Sequence, residues 1–324
     1  MWLPSYPPKD IDKNGCPAKG VSALALTPWK TGADRLLDQT KQLFWLALWH
    51  EGINDDVPKF HSATIASVSF SKLVSLLVPL AFVLYRILQR PTIGERIGGV
   101  LGLAAGLAPA VWLVAVRGVP VKVVVGYAGV FFIGSVLLKM AVYLGIMARY
   151  VLPRSSPALG GSLQGVLSAT CELGAAALAF GVVFPHLTFV EALGFGAGAA
   201  AVEAVIVSVV ENVHAGGPNA SLVATQIAVM RESPPWVPAL IGLADRGVAT
   251  ILHVACRGLV AVGIATERAW PITVAFVVFA SADGFAMRCL RSGWEFGHAI
   301  VAARLYGALA MLAAVSVVAL VIAA

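Results

Sequence analysis

Between residues 65 and 323 the chain is a succession of apolar runs, at roughly 65–88, 97–117, 122–148, 158–184, 188–211, 247–266, 270–289 and 297–323. About twenty apolar residues wound into a helix cross the hydrocarbon core of a bilayer, where a backbone must satisfy its own hydrogen bonds. The runs therefore define an all-α fold, a polytopic transmembrane bundle of about eight spanning helices. Composition agrees: 59% of 324 residues are apolar and 12% are charged, too few charges to coat a water-soluble protein of this size. The solvent for most of the surface must be lipid. Trp112, Trp236, Trp270 and Trp294 fall near the ends of runs, at the headgroup level that suits an amphipathic indole. An integral membrane location, in the bacterial cytoplasmic membrane, is expected.

The formal net charge is +6, but Lys and Arg sit between the apolar runs or in the N-terminal segment and form no basic stripe. Nucleic acid is excluded as an expected partner; the bilayer, a membrane-protein substrate or partner subunits remain. Arg86, Arg90, Arg96, Arg149, Arg154, Arg231, Arg246, Arg288 and Arg291 fall in connections on one side, against Arg117, Lys122 and Arg268 on the other. The excess places the first, third, fifth and seventh connections in the cytoplasm and both termini outside. The first apolar run starts after residue 60, too late for a cleaved signal peptide, so an internal helix is expected to start insertion.

Two regions are distinguished, a polar N-terminal arm over 1–60 and a transmembrane helical domain over 61–324. The arm holds Pro4, Pro7, Pro8, Pro17, Pro28 and Pro58, with one amphipathic helix expected near 33–50, where Trp45 and Trp49 interleave with leucines. That helix reads either as an interfacial or docking element or as one packed on the protein's own loops. Cys16, Cys171, Cys256 and Cys289 lie far apart and form no C-x-x-C, so neither a zinc ribbon nor a disulfide framework is indicated. No P-loop, H-E-x-x-H or G-x-S-x-G occurs, and no cofactor or metal is expected. Gly102 with Gly106, Gly161 with Gly165, and Gly194 with Gly198 form small-x-x-x-small pairs that bring helix backbones close.

An ionisable side chain at bilayer depth costs a few kcal/mol and normally faces a partner or a cavity. Lys139, in the third run, has a long stem and is expected to snorkel toward the interface. Glu172 lies mid-run with no basic residue within two turns, so it must be neutralised by a proton or by another helix. Glu203 follows Gly194-Phe195-Gly196-Ala197-Gly198-Ala199-Ala200-Ala201-Val202, a stretch of small residues that lets another helix approach its carboxylate. His253 and Arg257, four apart, share one helix face, and Asp283 stands in Phe279-Ala280-Ser281-Ala282-Asp283-Gly284-Phe285. These groups read either as a built site or as a buried ion-pair cluster that fixes helix register.

The order of these features resembles the YhfC-like membrane peptidases, relatives of the CAAX-processing and PrsW-like glutamic intramembrane proteases. Cys171-Glu172 stands where that family places a Glu-Glu pair, and the glycine-rich run ending at Glu203 resembles its second element. Asp245-Arg246-Gly247-Val248-Ala249-Thr250-Ile251-Leu252-His253 is similar to the approach to the family's helix histidine, and Phe279 to Asp283 resembles its His-x-x-x-Asp element. Cys171 replaces one Glu, Ala175 and Ala176 occupy the place of the basic partner, and Phe279 replaces the His. The resemblance implies Glu203 or Glu172 as the base that activates water without a metal. It implies His253 with Arg257 at the water or the oxyanion, and Asp283 orienting the histidine or adding a polar contact.

Three functions follow as expectations. One is an intramembrane peptidase or its catalytically degenerate relative, with Glu172, Glu203, His253 and Asp283 converging at one depth. A second is a proton-coupled transporter that uses the same carboxylates as a relay, although no internal repeat is visible. A third is a non-catalytic scaffold subunit docked through the N-terminal arm.

Overall fold

The computed structural model describes residues 70–210 and 220–324. The N-terminal arm over 1–60, with its expected amphipathic helix near 33–50, lies outside the described residues, as does the scaffold role assigned to it. Among the described residues there are nine helices and no strand. They are α1 (Phe70–Leu88), α2 (Ile93–Arg117), α3 (Lys122–Arg154), α4 (Pro157–Val183), α5 (Phe189–Val210), α6 (Ala220–Glu232), α7 (Trp236–Ala265), α8 (Ala269–Arg291) and α9 (Ala299–Ala323). The 7 helices α2–α5 and α7–α9 are long and apolar enough to cross a membrane. In α1 the apolar stretch is the shorter Pro79–Leu88, and the start of the expected 65–88 run lies outside the described residues. The chain is an all-α, polytopic helix bundle.

Local signals set the helix ends. Thr92 caps α2: its Oγ1 accepts from Glu95 N at 3.2 Å, and its own N donates back to Glu95 Oε2 at 3.1 Å. At the other end Gly118 takes φ 66°, the left-handed conformation that closes a helix and that glycine adopts without strain. Thr188 and Glu191 repeat the reciprocal cap at the start of α5. Ser156 caps α4, with Pro157 following in the first turn, where a missing N–H costs nothing.

α7 begins at Trp236, well before the expected 247. In a linear reading Asp245 and Arg246 are loop charges. In the bundle they lie inside the helix, Arg246 Nη2 2.7 Å from Asp245 Oδ2 and Nη1 3.1 Å from Glu203 Oε1, and once paired they no longer end it. Arg246 therefore does not belong among the connection residues that set orientation. Between α5 and α7, where the sequence reading placed only a connection, α6 forms a short helix. It has 13 residues, too few to span, and packs over the end of the bundle where α2 begins.

The outer faces are apolar. On α9 Ile300, Met311, Val321 and Ile322 each expose 68–74% of their surface, a cost in water and none in lipid. α5 and α7 are the central helices, reached through surfaces without side chains. Gly94, Gly98 and Gly102 of α2 face Pro238, Gly242 and Arg246 of α7, one turn per step on each helix. A Cβ on Gly196 of α5 would stand 2.8 Å from the His253 carbonyl oxygen, so only glycine lets α5 approach α7 there. Glu203 lies two turns further along the same face of α5.

Candidate functional site

One hydrogen-bonded cluster gathers the ionisable residues near the middle of the bundle. Glu203 on α5 and His253 on α7 meet through Oε2 and Nε2 at 2.7 Å. On the far side of the ring, Arg257 Nη1 donates to His253 Nδ1. A guanidinium has donors only, so Nδ1 is an acceptor and the imidazole proton sits on Nε2, pointed at Glu203. The i,i+4 spacing on one helix is what holds the arginine over the ring. His253 is edge-on to Phe132 at 5.9 Å and to Phe279 at 5.5 Å, so two aromatic rings fix its plane. Phe279, at the position where the resembling family carries a histidine, also lies under Arg257 at 5.9 Å.

Glu172 on α4 closes the cluster from the other side. Its Oε2 accepts from Arg257 Nη2 at 3.3 Å, and its Oε1 lies 2.5 Å from Lys139 Nζ. Lys139 also donates to Ser168 Oγ at 3.2 Å, and Ser168 donates to Asp283 Oδ2 on α8. Lys139 thus does not snorkel. It turns inward as the partner that Glu172 lacks on its own helix, because pairing a lysine with a buried carboxylate outweighs stretching it to the interface. Lys139, Arg246 and Arg257 face Glu172, Glu203, Asp245 and Asp283, a near-neutral balance that keeps such a cluster tolerable at bilayer depth.

The five residues assigned to the candidate site from the sequence all belong to this network. Glu172, His253 and Arg257 touch one another, Glu203 joins through His253, and Asp283 joins through Ser168. Arg257, not Asp283, holds the histidine Nδ1. Four further participants were not assigned to the site: Lys139, expected to snorkel, the Asp245–Arg246 pair, quoted only as the approach to His253 and counted with the connections, and Ser168. A signal for Lys139 was present. Lys139 and Glu172 are equidistant from the Ser155–Ser156 link between two antiparallel spans, which sets them at the same depth. Arg246 offered no such cue, because a charged dipeptide at the edge of an apolar run looks like a loop.

Accessibility separates the two glutamates. Glu203 keeps 23% of its side chain exposed, whereas Glu172 keeps 4%. Around Glu172 the space bounded by Phe132, Ser135, Phe195 and Arg257 leaves no room for a water. A cavity of about 170 Å³ opens at the α2 end of the bundle, lined by Asp245, Arg246 and Tyr306, and Arg246 connects it to Glu203. Among the described residues no group of three or more His, Cys, Asp or Glu is set to hold a metal ion. Cys171, Cys256 and Cys289 are free and buried.

Ser168 is fully buried and serves Lys139 and Asp283 at once. Ser168→Ala is expected to destabilise the bundle by about 1–3 kcal/mol, since both partners lose a hydrogen bond to a fully buried hydroxyl. A lowered thermal unfolding midpoint in detergent checks this; an unchanged midpoint contradicts it.

Compared with protein-family models, with curated proteins and with solved structures, the chain matches none.

Proposed function

We propose that the cluster is a hydrolytic site of the glutamic intramembrane kind, acting on a membrane-embedded or membrane-proximal polypeptide. The observation that carries this reading is the 2.7 Å Glu203–His253 contact, made at the less buried of the two glutamates. A carboxylate that takes a proton from water needs access to that water and a fixed direction. Glu203 has both. Arg246 steadies one of its oxygens and His253 the other, and the cavity lined by Asp245 and Arg246 lies on the Arg246 side of the carboxylate. In the reaction Glu203 removes a proton from water as the oxygen attacks the carbonyl carbon, and returns it to the nitrogen that leaves when the C–N bond breaks. Glu172, closed off between Lys139 and Arg257, is a positioning residue that anchors the arginine holding His253 Nδ1.

The test uses purified protein in liposomes with a set of synthetic transmembrane peptides, cleavage being read by mass spectrometry. Glu203→Gln is expected to lower cleavage at least about 100-fold while leaving the unfolding midpoint within a few degrees, because glutamine keeps the shape of the carboxylate. His253→Ala is expected to lower it to a similar degree. Cleavage by Glu203→Gln at the wild-type rate would overturn the assignment.

A second reading has its own support. Polar groups follow one another from Tyr306 through Asp245, Arg246, Glu203, His253, Glu172, Lys139 and Ser168 to Asp283, the sequence of groups that a proton-coupled carrier needs. Proton uptake into the same liposomes that is driven by a pH gradient and lost in Glu203→Gln, with no peptide cleaved, favours the carrier.

A further inference from the structure

We propose that Asp245 is a positioning residue for Glu203, taking the fork of the Arg246 guanidinium and so keeping that cation from closing on the base. Its part in catalysis rests on the hydrolytic reading; its hold on Arg246 does not. Arg246 Nε donates to Asp245 Oδ2 at 2.8 Å, and Nη2 lies 2.7 Å from the same oxygen, so both prongs of the fork converge on the aspartate. Glu203 receives Nη1 alone, 3.1 Å from its Oε1.

Consecutive residues of a helix point about 100° apart, and their side chains do not ordinarily face each other. The long arginine stem therefore bends aside to lay its fork on Asp245. Tyr306 of α9 approaches the other oxygen of the aspartate, its hydroxyl 3.5 Å from Oδ1, so Asp245 is set from a second helix as well. Asp245 keeps 35% of its side chain exposed beside the cavity, and replacing it opens no void in the core.

A carboxylate acts as a base through a lone pair that is not already engaged. Each oxygen of Glu203 carries one contact, Oε2 with His253 and Oε1 with Arg246, and each keeps a lone pair that can take a proton. Without Asp245, Glu203 is the one carboxylate left in ion-pair contact with Arg246 among the described residues. A two-pronged pair is stronger than a single contact and makes the carboxylate a weaker base. Loss of the nearby Asp245 charge acts in the same direction. An aspartate that only braced the helix would do the opposite: its loss would loosen Arg246 and leave Glu203 freer.

The test uses the full chain in liposomes. Glu203 is labelled with dicyclohexylcarbodiimide, a lipid-soluble reagent for protonated carboxyl groups, at a pH lowered until the wild type reacts, and the labelled fragment is quantified by mass spectrometry. Asp245→Ala is expected to slow labelling at least about fivefold, and Asp245→Glu to restore it to within about twofold of the wild type. In Arg246→Gln, which has no fork to release, adding Asp245→Ala is expected to change labelling less than about twofold. Transmembrane peptides in the same liposomes give the second readout, where Asp245→Ala is expected to lower kcat at least about tenfold with KM within about twofold. Should Asp245→Ala fold poorly, Asp245→Asn takes its place. Labelling in the folded variant as fast as in the wild type or faster, the same slowing without Arg246, or a wild-type Glu203 that resists the reagent at every pH overturns the proposal. Slowed labelling with no peptide cleaved by the wild type leaves the role of Asp245 standing and removes the hydrolytic reading; cleavage with unslowed labelling does the reverse.

Discussion

Glu172→Ala is expected to cost the bundle about 3–5 kcal/mol, the range for removing one partner of a buried ion pair. Glu172 is 4% exposed and stands between Lys139 at 2.5 Å and Arg257 at 3.3 Å. Alanine leaves Arg257 without its carboxylate and leaves Lys139 with Asp283, reached through Ser168, as its nearest remaining counter-charge. Arg257 has the least freedom to respond, being 2% exposed. Lys139→Met is expected to cost less, because Glu172 keeps Arg257 and the methionine fills the channel of the lysine stem. Unfolding midpoints of the two variants in detergent check this, with Glu172→Ala well below Lys139→Met and both below the wild type. Equal stability of Glu172→Ala and the wild type would show that the charges are not closed off as described.

Gly165→Leu is expected to prevent α4 and α8 from docking. A Cβ on Gly165 would lie 2.8 Å from the Gly284 backbone nitrogen and closer still to the Ala280 carbonyl oxygen. Both obstacles are backbone, which cannot rotate away as a side chain would. Overpacking commonly costs about 1–3 kcal/mol, and here relief requires α8 to move outward, which parts Ser168 from Asp283. Gly134 on α3 supplies the control, since a Cβ there meets nothing within 4 Å. Gly134→Leu is expected to purify as a monodisperse species at the wild-type yield, and Gly165→Leu to lose most of its folded fraction on size exclusion. Comparable behaviour of the two would contradict the seam.

The spanning helices were legible because in lipid the apolar run and the helix are the same object: whatever crosses must be apolar outside and hydrogen-bonded within itself. The boundary of α7 was not, because a linear reading values Asp245 and Arg246 as isolated charges, whereas their cost depends on Glu203, 43 residues before Arg246. The gathering of Glu172, Glu203, His253 and Arg257 was legible as a set of groups too costly to face lipid. Which of them meets water was not, because exposure at depth depends on how side chains such as Phe132 and Phe195 fill the space around Glu172. The partner of Glu172 was misread for a related reason. Lys139 can lie along an apolar surface or turn inward, and only the neighbouring helix decides. α6 left little trace, since a helix of 13 residues packed on the end of a bundle needs neither the length nor the uniform apolarity of a span.

The central claim is that Glu203, held by Arg246 and His253, delivers water to a carbonyl inside the membrane. It is tested most directly by incubating the purified protein with transmembrane peptides in liposomes made in water enriched in oxygen-18. New peptide C-termini are then weighed. The account expects wild-type protein to produce C-termini carrying one heavy oxygen and Glu203→Gln to produce about a hundredth as many or fewer. Labelled C-termini formed equally by Glu203→Gln, or no labelled C-termini from the wild type across the peptide set, would contradict it.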